Sequence, residues 1–151
     1  NITMNTSLAY IFPGIRHLNK QRIVILKQNI LETAVKNNNI ITPEEIYVLC
    51  CKMNREYNHS RRRNDVQVRQ IAMFWTMQLI KRITFKAVGQ VIGNKNHATV
   101  IHGIKTIQGM IDIGAYDIIQ DVIEAGELIQ EYYEKHQENT DVVCKTVAVC
   151  G

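Results

Sequence analysis

The stretch that decides the fold is GNKNHATVIHGIKTI, residues 93–107, in which a turn signal precedes apolar residues at helical spacing. Extended by one turn, the apolar stripe consists of Val100, Ile101, Ile104, Ile107 and Ile111. Gly93-Asn94-Lys95 has the composition of a tight turn. The Asn96 side chain is suited to accept a hydrogen bond from a free backbone N–H at a helix start. We therefore predict an amphipathic helix over residues 96–111.

The opposite face of this helix carries small, hydrogen-bonding or basic residues and no acid. It consists of Ala98, Thr99, His102, Lys105, Thr106 and Gly109. Small side chains permit close approach, hydrogen-bonding side chains reach base edges, and lysine meets phosphate. The free N–H groups and positive dipole end of a helix N-terminus also attract phosphate.

A short helix predicted over residues 84–92 precedes the turn, so the pattern predicts a helix-turn-helix over about residues 84–111. Its second helix would enter the major groove of DNA. An ordinary amphipathic helix with a polar outer face would show the same periodicity, and the local pattern alone does not decide between the two.

The charge is divided unevenly along the chain, although the formal net charge is only +4. Residues 55–105 hold ten Lys and Arg against two acids, a local charge of +8. Residues 112–141 hold nine acids and one Lys, a local charge of −8. This asymmetry predicts a polyanion-binding face in the basic part and favours the DNA-binding interpretation.

Other periodic segments predict an all-α fold around the motif. The further helices are expected over about residues 20–36, 43–57, 66–82 and 115–135. Thr42 and Pro43, followed by two glutamates, form a helix opening. Asp65 is placed to cap the helix of residues 66–82. Because that helix is apolar on two faces, we expect it inside the core, with Trp75 as a core residue rather than a stacking surface.

The composition suits one domain: of the 151 residues, 46% are hydrophobic and 21% are charged. We expect a helical domain over residues 20–135, between an N-terminal arm of residues 1–19 and a C-terminal tail of residues 136–151. No run approaches the ~20 apolar residues that span a membrane. The first residues lack the basic and apolar regions of a signal peptide. We accordingly expect a cytoplasmic protein with no membrane partner.

Other kinds of site find little support in the sequence. Neither a zinc spacing nor a disulfide framework is formed by the four cysteines, Cys50, Cys51, Cys144 and Cys150. Reduced thiols are therefore expected. His97 and His102 lie about 140° apart around a helix, so they do not form the i, i+4 metal pair. With no triad, paired-carboxylate pocket or glycine-rich phosphate loop, we expect no catalytic residue, metal or cofactor.

Three stretches, which form two separate motifs because two of them are adjacent in the chain, resemble the C-terminal DNA-binding domain of the bacterial DnaA replication initiator. The signature of that family is close to G-G-R-D-H-T-T-V-x-H-A-x-x-x-I, and the positions that fit, with Lys for Arg, are Gly93, Lys95, His97, Thr99, Val100, His102 and Ile107. Upstream, RRRNDVQVRQIAM is similar to the family's basic loop and its helix opening R-P-R-Q-x-A-M. ITFKAVGQVIG resembles S-L-P-E-I-G-x-x-F-G. The likeness covers about residues 43–135 and implies an all-α, Trp-repressor-like helix-turn-helix domain that binds double-stranded DNA.

The resemblance also implies roles for individual residues. Bases would be read by Asn96, His97, Ala98 and Thr99, with His102 nearby. Arg61 would reach into the minor groove, and its neighbours in the loop are Arg62 and Arg63. Phosphates would be held by Arg69 and Gln70. Further phosphate contacts are expected from Lys86, which stands where the family has proline, and from Lys95 and Lys105.

Two departures from the family pattern concern the base-reading positions. Asn96 replaces an aspartate, and Ala98 replaces a threonine. An amide can bind adenine through two hydrogen bonds whereas a carboxylate prefers the amino group of cytosine, so we expect a changed target sequence. No G-x-x-x-x-G-K-[ST] occurs. Binding without ATP-driven assembly or origin melting is therefore expected.

The biological role stays open between several interpretations. DNA binding would serve replication initiation or its regulation, or a promoter on a phage or mobile element. The rival class is a protein-interaction module that has lost specific DNA binding. That module would use the acidic helix over residues 115–135 and the C-terminal tail to contact a replication initiator or another protein. A solvated outer face is the simpler interpretation of this helix, and shielding of the basic face from other anions is a further alternative. A DNA-binding protein would lie at the nucleoid of a bacterial or phage-infected cell.

Overall fold

The computed structural model describes the backbone of residues 13–54 and 56–150 and the side chains of residues 19–54 and 56–136. Its helices are α1 (Pro13–Lys36), α2 (Pro43–Cys51), α3 (Arg63–Leu79), α4 (Phe85–Val91), α5 (His97–Asp112) and α6 (Tyr116–Cys150). Every regular element in these ranges is a helix, which confirms the all-α prediction.

The termini of the helical body differ from the expected arm and tail. Helix α1 begins at Pro13, inside the expected arm, because proline is well suited to the first helical position. Helix α6 continues to Cys150, through the expected tail. The expected arm before Pro13 lies outside the described residues, as do the side chains of the tail beyond His136.

Two internal boundaries also differ from expectation. Helix α2 ends at Cys51, and not near Tyr57. Helix α3 begins at Arg63, after Arg62 as N-cap, and no side chain caps it. The prediction that Asp65 caps this helix is wrong, because the carboxylate of Asp65 accepts hydrogen bonds from the preceding loop instead.

Helix α3 lies at the centre of the core, as its two apolar faces predict. Its buried hydrophobic residues are Val68, Ile71, Ala72, Met73, Phe74, Trp75 and Leu79. The Trp75 side chain is fully buried, and its Nε1–H donates to the backbone carbonyl of Val122 at 2.9 Å. Trp75 is thus a core residue with its one polar group satisfied, and it offers no stacking surface.

Helix α1 packs along α6, and a glycine permits the close approach. A Cβ atom at Gly126 would overlap the side chains of Leu26 and Trp75. Polar contacts join α1 to both neighbours: Lys27 Nζ donates to Gln78 Oε1 of α3 at 3.1 Å, and Asn37 Nδ2, just after α1, donates to the Tyr133 carbonyl of α6 at 3.0 Å. These contacts fix α1 and α6 around α3, on which the helix-turn-helix rests.

The described cysteines carry free thiols. Cys50 is buried and Cys51 is half-buried on α2. Burial raises the pKa of the Cys50 thiol and raises that of Cys51 to about 11. Both thiols are therefore protonated at neutral pH. Within the described ranges, no helix has the length and apolar character needed to cross a membrane.

Candidate nucleic-acid interface

The helix-turn-helix consists of α4, a turn and α5, as the sequence predicts. The Thr84 side chain caps α4 by accepting from the Ala87 N–H at 3.1 Å. In the turn, Gly93 and Asn94 have positive φ angles of 76° and 51°, in the left-handed region that glycine and asparagine tolerate best. The Lys95 N–H then donates to the Gly89 carbonyl at 2.7 Å, which fastens the turn to α4.

Gly89 allows the turn to lie directly on α4. A Cβ atom at this position would overlap the backbone carbonyl of Lys95 and come within 3.1 Å of a Val100 methyl group. A backbone atom has little freedom to move aside, so the angle between α4 and α5 depends on this glycine.

Helix α5 packs through its apolar stripe and through one glycine. Val100, Ile107 and Ile111 are buried, whereas Ile104 is only partly buried against the core. Gly103 is buried too: a Cβ atom there would lie 3.1 Å from Met73 Sδ and 3.2 Å from Gln70 Cγ. Hydrophobic periodicity gives no weight to glycine, so the sequence did not predict this contact between α3 and α5.

The first turns of α5 present the predicted face to solvent. The exposed residues there are Asn96, His97, Ala98, Thr99, His102 and Lys105. No acidic residue occurs in the first turn of the helix. The N-terminal dipole end of α5 and a basic side chain therefore share one exposed surface.

Asn96 is the N-cap that the sequence predicts, but its carbonyl oxygen is already used. Asn96 Oδ1 accepts from the backbone N–H of Thr99 and from the Thr99 hydroxyl, both at 2.9 Å. An adenine contact through two hydrogen bonds needs a free acceptor as well as a donor. The capped side chain does not offer that pair, which argues against the adenine contact expected from the sequence.

Arg69 lies inside the protein rather than on the expected phosphate-binding surface. Arg69 is only 5% exposed. Its guanidinium donates to the Ser60 carbonyl at 2.7 Å and to the Tyr57 hydroxyl at 3.5 Å. The stem of the same side chain passes Gly93, where a Cβ atom would lie 2.8 Å from Arg69 Cδ. Arg69 therefore joins the basic loop to the turn of the helix-turn-helix and is a positioning residue in this structure.

The basic loop before α3 is ordered by the buried carboxylate of Asp65. Its oxygens accept from the Ser60 hydroxyl at 2.5 Å, the Ser60 N–H at 3.2 Å and the Asn58 N–H at 3.4 Å. The hydrogen bond from the Ser60 side chain is the largest of the effects that lower the pKa of Asp65. Arg61 and Arg62 project from this fixed loop, Arg63 is the first residue of α3, and all three are exposed.

An aromatic cluster on the other side of the loop was not predicted. The hydroxyl groups of Tyr47 and Tyr57 are hydrogen-bonded at 2.5 Å, and Tyr47 also pairs with His59 Nδ1 at 3.0 Å. His59 has a positive φ of 49°. These residues meet only after α2 and the loop have packed, so no local sequence signal reveals the cluster.

The remaining candidates lie around α5 in different environments. Lys86 is exposed on α4, Lys95 is half-buried in the turn, and Gln70 is half-buried on α3. Gln70 and Arg63 line one pocket of about 200 Å³ together with Thr106 of α5. The structure thus brings the start of α3 beside the middle of the predicted recognition helix.

In the described part of the chain, no group of three or more His, Cys, Asp or Glu residues is arranged to hold a metal.

A comparison with protein families identifies this arrangement. Residues 28–107 match the family model of the bacterial dnaA protein helix-turn-helix. The chain belongs to this family. The matched region contains α2, the basic loop, α3, α4 and most of α5, so the resemblance of the two sequence motifs to this family is confirmed.

Similar proteins are chromosomal replication initiator proteins DnaA. The DnaA protein of Bacteroides thetaiotaomicron is 36% identical over 101 residues, which are 63% of this chain and 21% of that protein. The DnaA protein of Bacteroides fragilis is 34% identical over 101 residues, with the same shares. That of Flavobacterium psychrophilum is 38% identical over 52 residues, 34% of this chain and 11% of that protein. The match thus spans about a fifth of the length of the first two relatives. No solved structure matches this chain.

Proposed function

We propose that this chain binds double-stranded DNA sequence-specifically, with α5 in the major groove and the basic loop in or beside the minor groove. The observation that carries the proposal is the exposed, acid-free face at the start of α5 in a DnaA-type helix-turn-helix. Base edges would be contacted by the residues that begin α5, because the N-terminal residues of a recognition helix lie deepest in the groove. These are Asn96, His97, Ala98 and Thr99.

Basic residues on both sides of α5 would hold the phosphate backbone. Lys86 and Lys105 are exposed on the two helices of the motif, and Lys95 lies in the turn between them. The exposed loop arginines would add contacts at the neighbouring minor groove. Each neutralised phosphate releases counterions, so affinity should fall steeply as salt rises.

We infer a role in replication initiation or its regulation. This step rests on the relatives, which are replication initiators, and on the family match. A protein with this role would lie at the nucleoid in the cytoplasm. Control of a promoter on a phage or mobile element would use the same contacts. The target sequence distinguishes these roles, since an initiator-type protein would select repeated boxes near an origin.

The docking proposal is tested by titrating random and selected duplexes at several salt concentrations. Arg61→Ala combined with Lys105→Ala should weaken binding and lower the salt slope by about two, because each phosphate contact contributes a slope of about 0.9. The matched control is Arg22→Ala with Lys36→Ala, which removes the same charge from α1. If the two pairs shifted the binding curve equally, docking through the loop and α5 would be wrong.

A second candidate function is docking of a basic protein segment on α6. Asp117 and Glu124 are exposed on this helix, and Asp121 lies between them, half-buried. Burial, Glu124 and Asp117 raise the pKa of Asp121, so these carboxylates repel one another and would gain from a cationic partner. A full-length replication initiator is a direct probe. Binding to it that survives Arg61→Ala with Lys105→Ala but is lost on Asp117→Asn with Glu124→Gln would support this function over DNA binding.

A further inference from the structure

We propose that Asn96 reads its base as a hydrogen-bond donor only. The contacted base would then be guanine or thymine, which present acceptors in the major groove, and not cytosine. This inference rests on the proposed DNA-binding function and concerns the specificity of the same surface.

The cap hydrogen bond fixes the orientation of the Asn96 amide. The backbone N–H of Thr99 is a donor, and it points at the side chain of Asn96 from 2.9 Å. Only the carbonyl oxygen of an amide accepts such a bond, so Oδ1 must face the helix and Nδ2 must lie on the other side of the group. The opposite orientation would set two donors against each other.

The Thr99 hydroxyl removes the remaining acceptor capacity. Its oxygen lies 2.9 Å from Asn96 Oδ1, and because a carbonyl oxygen cannot donate, the hydroxyl must do so. A carbonyl oxygen has two lone pairs, and both now have donors. Nδ2, whose two N–H groups have no partner in the described part of the chain, is what the exposed Asn96 side chain offers to DNA.

A donor-only side chain distinguishes the bases by their major-groove edges. Guanine presents two acceptors, N7 and O6, and thymine presents O4. Cytosine presents only its amino group, which would set donor against donor. Adenine presents the acceptor N7 beside a donor amino group, so it can accept one hydrogen bond from Nδ2 but not two. We therefore expect the order guanine or thymine first, adenine next and cytosine last at this position.

The inference is tested by selecting bound duplexes from a random pool with the original chain and with Asn96→Asp. Aspartate caps a helix as well as asparagine does, so α5 should still form, but a carboxylate presents acceptors where the amide presents donors. At one position, the original chain should enrich guanine or thymine. Asn96→Asp should enrich cytosine or adenine there, with a change in relative affinity of about five- to a hundredfold.

A matched control separates base reading from added negative charge. Asn94 is exposed in the same turn and has a positive φ of 51°, which aspartate also tolerates. Asn94→Asp therefore adds the same charge two residues away and should lower affinity for all duplexes without changing the preferred base. Asn96→Ser keeps a cap and removes the amide, so it should relax preference at one position while the melting temperature stays near that of the original chain.

The outcomes distinguish this inference from the proposed function. If the original chain enriches no sequence and binds no duplex at low salt, the DNA-binding function is wrong. If it enriches a site, but Asn96→Asp and Asn96→Ser select the same bases as the original chain, Asn96 is a helix cap alone and the inference is overturned. Enrichment of cytosine by the original chain at the position that changes in Asn96→Asp would also overturn it.

Discussion

The contacts that two side chains make in the structure differ from the roles that the sequence motif predicts for them. Arg69 matches a phosphate-binding position of the family motif, yet its guanidinium binds the Ser60 carbonyl inside the protein. Asp65 has the sequence context of a helix cap, yet it receives the N–H groups of the loop. A sequence motif gives the type of residue at a position but does not reveal which of its possible partners lies within reach.

The buried position of Arg69 leads to a prediction about stability. Arg69→Met should lower the free energy of unfolding by about 2–3 kcal/mol, because hydrogen bonds from a charged donor are lost and the Ser60 carbonyl is left unpaired. Urea unfolding measures this change. Arg61→Met, at an exposed position of the same loop, should stay within about 0.5 kcal/mol of the original chain. Equal stability of the two variants would mean that Arg69 does not hold the loop.

At the scale of helices, local sequence signals predicted the existence of each helix and most of the caps, but not all of the helix ends and not the contacts between helices. Thr42 and Asn96 cap α2 and α5 as expected, because a cap bonds to a backbone group three residues away. The sequence likewise placed α3 in the core through its two apolar faces. It did not reveal the contact of Gly103 with α3 or the aromatic cluster beside the loop, since each depends on elements that are distant in the chain.

Replacing either of two glycines of the helix-turn-helix by alanine should change the stability of the protein, but in opposite directions. Gly89→Ala should destabilise the protein by about 1–3 kcal/mol or more, because the new methyl group overlaps the Lys95 carbonyl. Gly109→Ala should stabilise it by up to about 1 kcal/mol, since nothing lies within 4 Å of its Cβ position and alanine favours a helix. Thermal unfolding compares the two variants.

A loss of stability at Gly109 equal to that at Gly89 would contradict the packing described for the turn. In that case the cost of a methyl group would not come from the close approach of the turn to α4. The pair also bears on binding, because Gly89→Ala would change the angle at which α5 meets the groove, whereas Gly109→Ala would leave that angle unchanged.

Over the whole molecule, the positive charge of the basic loop and the helix-turn-helix is offset by the negative charge of the acidic residues on α6. A small net charge of +4 therefore coexists with a strongly basic region. The field of the acids extends about 10 Å at 0.1 M salt, which reaches across part of a domain of this size. We expect the acidic helix to weaken attraction to random DNA, which depends on charge alone, more than it weakens binding to a selected site, which also depends on base contacts.

This argument predicts the effect of neutralising α6. Asp117→Asn with Glu124→Gln should speed association with random duplexes severalfold at low salt, because the formal net charge rises by two and steering depends on the total field. The gain should vanish toward 1 M salt, where charges are screened within about 3 Å. Stopped-flow mixing at several salt concentrations measures the rates, and the selected site should gain less in equilibrium affinity than random DNA, so the ratio between the two should fall. An association rate that did not respond to these substitutions at low salt would show that the acids of α6 do not influence the DNA-binding face.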